Sequence, residues 1–253
     1  MKKTFLSCRL IVLAALLLVI SDAVAAKGPK RLLVFSKTAK FRHHQGIAAG
    51  KKSIMQLGKE NKFEVDTTED AQAFTPENLK RYAAVVFLST TGDVLNDVQQ
   101  AAFEQYIKSG GGFMGIHSAT DTEYDWPWYG ELVGAYFGSH PAQQEAVFNV
   151  VDQDNLATRH LPKVWKRKDE LYNFKWIAEG LHILIKIDES SYTGGKNGDY
   201  HPMCWYHNYQ GGRAFYTEMG HDNKSFEEPL YLQHILGGIQ YAMGMKPNAK
   251  VKS

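Results

Sequence analysis

Of the ten histidines in the chain, His43, His44, His117, His140, His201, His207 and His221 fall where strands are expected to end. Imidazole can give or take a proton near neutral pH, and its neutral form binds zinc and similar metals. No pair has a compact metal spacing such as His-Glu-x-x-His, so a metal site would have to be assembled from separate loops. The residues therefore leave open whether a divalent metal is bound, and they require no cofactor. The stretch around His117 is the sharpest of these places. Gly110-Gly111-Gly112 leads into the apolar Phe113-Met114-Gly115-Ile116, and Ser118-Ala119 follows the histidine. This reads as a buried strand ending in a close strand-to-helix elbow, with His117 presented at the carboxyl edge of a sheet, where open α/β sheets place their ligands.

An elbow of this kind normally carries Ser or Cys, and position 117 offers neither. Gly115-x-His117-x-Ala119 is not the serine-hydrolase pattern, and Cys204, between Met203 and Trp205, is expected to be buried and inert. Covalent catalysis is set aside, which leaves acid-base or metal-assisted chemistry. The carboxylates nearest the histidines are Asp121, Glu123, Asp125, Glu170, Glu218 and Asp222. Asp121, four residues after His117, would share its face if the segment turns helical, or would simply close the turn. The catalytic candidates are His117, Asp121, His43 and His221. Around a substrate, Tyr124, Trp126 and Trp205 could stack on the apolar face of a sugar ring, Arg213 could bind an anionic or hydroxyl-rich group, and His140, Glu170 and His207 could supply polar contacts.

The elements that must position these residues alternate in the first half of the chain. Strands are expected at 31–36, 63–66, 83–88 and 113–116, with helices at 47–59 and 96–109 and a capped first turn at Thr75-Pro76. Buried strands separated by helices imply a parallel sheet covered on both faces. The second half reads differently: an aromatic loop at 125–130, strands at 146–151, 169–174 and 182–187, a glycine-rich loop at 191–200, a hairpin from 203–207 to 213–217, and a helix at 227–243. Strands this close in sequence suggest antiparallel additions.

The 253 residues, 44% hydrophobic and 22% charged, suffice for a large buried core, and the net charge of +2 carries no basic footprint for nucleic acid. An aromatic content of 12% hints at a flat-ligand or sugar-facing surface. Residues 1–26 read as a secretory signal peptide, with Lys2 and Lys3 before an apolar run at 10–20 and small residues at 23–26. The run is short for a membrane span, and Cys8 precedes it rather than following it, which argues against lipidation. Residues 27–253 form the expected single domain, periplasmic or secreted, with no stable membrane span after cleavage. Cys204 is then its lone cysteine, and no internal disulfide can form. The oligomeric state is left open.

With these residues in view the chain resembles the trehalose-utilisation (ThuA-like) family, within the class I glutamine amidotransferase-like superfamily, across residues 30 to 244. The likeness rests on VFSKTAKFRH at 34–43, GFMGIH at 112–117, TEYDWPWY at 122–129, HPMCW at 201–205, GRAFYT at 212–217 and Gly220-His221. The resemblance implies an α/β, flavodoxin-like three-layer sandwich with a mainly parallel central sheet and antiparallel additions in the C-terminal half. The elbow residue is cysteine in the amidotransferases and His117 here, so glutaminase activity is excluded. The family further implies carbohydrate catabolism beside oxidoreductases that make 3-keto glycosides, and its members are often labelled secreted glycosyl hydrolases. A hydrolase, isomerase or lyase acting on a glycoside or 3-keto sugar is the resulting expectation, since the acidified α-proton of a keto sugar needs only a base. The alternatives are a noncatalytic carbohydrate-binding or scaffold protein on the same fold, and a conventional two-carboxylate glycosidase using Asp121 and Glu170.

Overall fold

The computed structural model describes residues 28–245; the expected signal peptide and C-terminal tail lie outside the described residues. Five short strands alternate with helices and pair in parallel: β1 (Arg31–Phe35), β2 (Glu64–Thr68), β3 (Ala84–Leu88), β4 (Gly112–Ile116) and, from the far end of the chain, β11 (Gly212–Thr217). Their near-continuous apolar sequences fit strands covered on both faces, and β3 and β4 are buried at every position. The sheet continues with β10 (Pro202–Tyr209), β9 (His182–Asp188), β6 (Gln144–Val150) and β7 (Val164–Asp169), each antiparallel to its neighbour. The order is β2-β1-β3-β4-β11-β10-β9-β6-β7, and a separate antiparallel pair joins β5 (Ala135–Ser139) to β8 (Asn173–Ile177). This is the α/β arrangement with antiparallel additions expected from the sequence.

Helices α1 (His44–Asn61) and α5 (Pro229–Ala242) pack together on one face, and α2 (Pro76–Leu79), α3 (Asp97–Lys108) and α4 (Pro127–Val133) cover the other. Helix α3 starts from a complete capping box, in which the Asn96 side chain accepts from the Gln99 amide and the Gln99 side chain accepts from the Asn96 amide. Beneath α2–α4, Phe87 lies with its ring centroid within 5.5 Å of Phe35, Phe103, Phe113 and Tyr129. Much of the aromatic content is thus core packing rather than a sugar-facing surface.

Three local expectations are corrected. The aromatic loop expected at 125–130 gives way from Pro127 to α4, Pro127–Val133, since proline is tolerated in a first helical turn. The strand expected at 169–174 is two strands, β7 ending at Asp169 and β8 starting at Asn173, with buried Leu171 and Tyr172 crossing between them. Strand β7 carries no apolar run because its inward positions include a cation: Trp165, Arg167 and Asp169 are buried while Val164, Lys166 and Lys168 are exposed. The remaining difference is β5, which was not anticipated.

Candidate active site

Following the antiparallel pairings from β11 to β7 shows that β1, β4, β7 and β11 run in the same direction, so the chain leaves all four at one edge of the sheet. That edge includes the point where the strand order reverses between β1 and β3, the usual ligand crevice of such sheets. The four exits carry His43 after β1, His117 after β4, Glu170 after β7 and His221 after β11. Their inward atoms converge. Nε2 of His117 lies 3.2 Å from Nε2 of His43, 3.2 Å from Nδ1 of His221 and 3.3 Å from Oε2 of Glu170. Oε2 of Glu170 lies 3.0 Å from Nδ1 of His221 and 3.9 Å from Nε2 of His43. No two of the four ligand-type atoms are more than 4.8 Å apart.

Each of the four groups is fixed by its own segment. His43 ends a loop tied down where the Ala39 amide donates to the Thr91 carbonyl (2.7 Å) and the Thr91 hydroxyl donates to the Phe41 carbonyl (2.7 Å). Helix α1 then packs so tightly on the Gly220-His221 turn that a Cβ at Gly46 would stand 2.5 Å from the His221 carbonyl oxygen. His117 has φ 53°, in the left-handed region that a non-glycine residue rarely adopts, and the Tyr216 hydroxyl donates to its carbonyl (2.8 Å). Its Nδ1–H donates to the Glu218 carbonyl (2.8 Å), which leaves the Nε2 lone pair facing the cluster. Asp169 holds the other two together. Its Oδ1 accepts from the Glu170 amide (3.0 Å) and the His221 amide (3.2 Å), and its Oδ2 accepts from the Gly220 amide (3.1 Å).

Electrostatics follow from this burial and pairing. Burial alone would raise Glu170, yet the imidazoles of His117, His221 and His43 around it outweigh burial and hold the carboxyl well below the usual range. Burial lowers His43 to about 4, so this imidazole is neutral. At His221 burial is outweighed by Glu170, and its pKa is raised. Burial, then the nearby Asp169 charge, pushes Glu218 well above a normal carboxyl. Its Oε1 accepts from the Tyr172 amide (3.1 Å), whereas its buried Oε2 has no hydrogen-bond partner.

The sequence candidates divide sharply. His43, His117, His221 and Glu170 form the cluster, and His140 joins its rim with Nδ1 3.4 Å from Oε1 of Glu170. Asp121 closes the short turn after His117 and takes a hydrogen bond from the Tyr124 hydroxyl (2.7 Å); burial raises its pKa. The structure does not bring the other four candidates to the cluster. Trp126 is buried against Trp128 and α3, where its Nε1 donates to Glu104 (3.3 Å). Trp205 is fully buried and donates to the Val133 carbonyl (2.9 Å). His207 donates to the Leu132 carbonyl (2.9 Å). Arg213 sits at the opposite end of β11, donating to the Ala242 carbonyl at the end of α5 (3.0 Å) and to the Gly110 carbonyl just before β4 (2.8 Å). The expected sugar wall of tryptophans is therefore packing: Trp126 turns in at the start of α4, and Trp205 points from β10 beneath the end of α4.

Three residues at the site carried no decisive sequence signal. The Tyr172 hydroxyl donates to His117 Nε2 (3.2 Å), and Asp169 was legible only as a strand residue. Phe41 is 66% exposed, with its ring 4.8 Å from that of His43. An exposed Phe beside three clustered histidines could have been found only by knowing that the 37–43 loop turns over the sheet edge.

The family model for ThuA, described as trehalose utilisation, matches residues 31–242. A search of curated proteins finds no match. Among solved structures, a ThuA-like protein from Bacteroides uniformis aligns at 22% identity and TM-score 0.73 over 87% of this chain and 94% of its own. Another from Parabacteroides merdae aligns at 21% identity and TM-score 0.71 over 88% and 94%. A β-galactosidase from Bacillus circulans sp. alkalophilus shares the fold over 88% of this chain and 32% of its own, at 12% identity and TM-score 0.55. At these identities the structural likeness is one of fold.

Proposed function

Because the chain belongs to the ThuA family of trehalose utilisation, which gives it a carbohydrate-related role, we propose that it is an enzyme converting a glycoside or 3-keto sugar at the His43, His117, Glu170 and His221 cluster. The reaction is hydrolysis, isomerisation or elimination, and the protein works in the periplasm or outside the cell. One observation carries this reading: four proton-handling side chains from four separate chain segments meet at the elbow. Proton transfer falls to the accessible members. His117 is fully buried and His43 nearly so, whereas the His221 and His140 side chains are 17% and 43% exposed. His221, charge-coupled to Glu170, and His140 at the rim can reach a substrate proton while His117 anchors the cluster behind them. Phe41 supplies the apolar platform for a sugar ring that the tryptophans do not.

The test is a panel of glycosides and their 3-keto derivatives, with product detected by mass spectrometry. Wild type should turn over at least one, and Glu170→Gln and His221→Gln should each lose at least about 100-fold in kcat with unchanged circular dichroism. Sugar binding without product from any panel member would point instead to the noncatalytic carbohydrate-binding alternative. A second reading, the two-carboxylate glycosidase, would use Asp121, raised by burial, as the acid and Glu170, held down by the imidazoles around it, as the base. Asp121→Asn separates the two, abolishing turnover only in the glycosidase.

A further inference from the structure

The geometry points to a binding site for one divalent transition-metal ion, of zinc-like ligand preference, held by His43 Nε2, His117 Nε2, His221 Nδ1 and Glu170 Oε2. This deepens the proposed reaction, on which the catalytic meaning of the ion rests, by making His221 and Glu170 ligands and leaving proton transfer to His140 at the rim, while the site itself is argued from the donors alone.

The first argument counts protons. His117 spends its ring proton on the Glu218 carbonyl at 2.8 Å. His43 turns Nδ1 to the Ser118 hydroxyl at 3.4 Å, again leaving Nε2 inward. One imidazole lone pair, which the Tyr172 hydroxyl also reaches at 3.2 Å, two further imidazole nitrogens and a carboxylate oxygen thus face one point. Acceptors crowd together this way when a cation lies between them.

The second argument is metric. Metal–nitrogen and metal–oxygen bonds of about 2.0–2.2 Å place tetrahedral ligands about 3.3–3.6 Å apart. The pairs among His117, His221 and Glu170 are separated by 3.2, 3.3 and 3.0 Å, and His43 adds 3.2 Å to His117. Only the His43 side is wider, 3.9 Å to Glu170 and within 4.8 Å of His221, so a bound ion sits closest to His117, His221 and Glu170.

The third argument is the support behind each donor, which metal sites need to hold ligand and tautomer in place. Glu218 and Ser118 back His117 and His43. Asp169 holds the Glu170 and His221 amides, and His140 Nδ1 stands 3.4 Å from the second oxygen of Glu170. The left-handed backbone at His117 is held in place by Tyr216. Three imidazoles with one carboxylate suit zinc, nickel, iron or copper rather than magnesium or calcium, which prefer all-oxygen shells.

The experiment uses the untagged full chain, stripped with a chelator and titrated with Co²⁺ and Zn²⁺. Expected are one equivalent of ion per chain by elemental analysis, ligand-field absorption from bound cobalt, and affinity weakened by at least about 100-fold in Glu170→Gln and in His221→Ala. His221 is partly exposed, so its variant tests the site even if Glu170→Gln fails to fold. Absence of stoichiometric binding in the wild type, or undiminished binding in a folded variant, overturns the site. Full sugar turnover by the metal-free chain overturns the ion's part in the reaction. Stoichiometric binding with no turnover of any sugar upholds the ion and counts against the enzyme reading.

Discussion

His234 tests how firmly the core behind the site is built. It lies on α5, fully buried, with Nδ1–H donating to the Ala157 carbonyl (2.8 Å) and Nε2 accepting from the Thr217 hydroxyl (3.0 Å). Thr217 ends β11, one residue before the Glu218 carbonyl that orients His117. Burial lowers the imidazole from 6.5 to about 3. Because the folded value lies below the unfolded one, the unfolded chain takes up the proton first as the solution is acidified. The stability due to neutral His234 is therefore complete above pH about 6.5 and is lost progressively as pH falls from there toward 3. At pH 5 the unfolded imidazole is protonated about 1.5 units past its midpoint while the folded one is still neutral, a loss of about 2 kcal/mol relative to neutral pH. His234→Asn removes the titration and leaves one partner unsatisfied, which costs about 1–3 kcal/mol at pH 7. Urea unfolding at pH 7 and pH 5 should show the gap between variant and wild type shrinking by about 2 kcal/mol on acidification. His160 and His207, also lowered by burial, contribute equally to both proteins and cancel. A gap that stays constant between the two pH values would refute the buried neutral histidine and the packing of α5 on β11 inferred from it.

Three further outcomes follow from the same geometry. Phe41→Ala should leave urea stability within about 0.5 kcal/mol, because the ring is 66% exposed, while kcat/KM on the sugar substrate falls about 10-fold for lost stacking; a large stability loss would make Phe41 a packing residue. Gly46→Ala places a methyl 2.5 Å from the His221 carbonyl oxygen, so α1 must move off the turn; we expect a loss of about 1–3 kcal/mol in thermal or urea unfolding, together with weaker cobalt binding, and wild-type values in both would contradict the close approach. Cys204 is buried, and burial pushes its thiol well above 9, so a thiol reagent should not label the native chain but should label it after unfolding in urea.

Much of the architecture was legible in the sequence because it is written in local periodicity. The apolar runs that became β1, β3, β4 and β11, the Asn96 cap and the Thr75-Pro76 turn all announce themselves within a few residues, and His117 was marked by the glycines before it and the small residues after it. What lay beyond local pattern was lost. Strand β7 hid behind a buried arginine, and α4 behind a proline and a glycine that its first turns accommodate. At the site, sequence chemistry selected His43, His117 and His221 as histidines at strand ends and Glu170 as a carboxylate near them, but it could not choose them over Trp126, Trp205, His207 and Arg213. The tertiary structure decided that choice. The shared direction of β1, β4, β7 and β11 brings four exits to one edge, Asp169 ties the third to the fourth, and α4 packing takes the tryptophans into the core. Residue type sets which side chains can hold a proton or an ion; only the course of the strands sets which of them can hold it together.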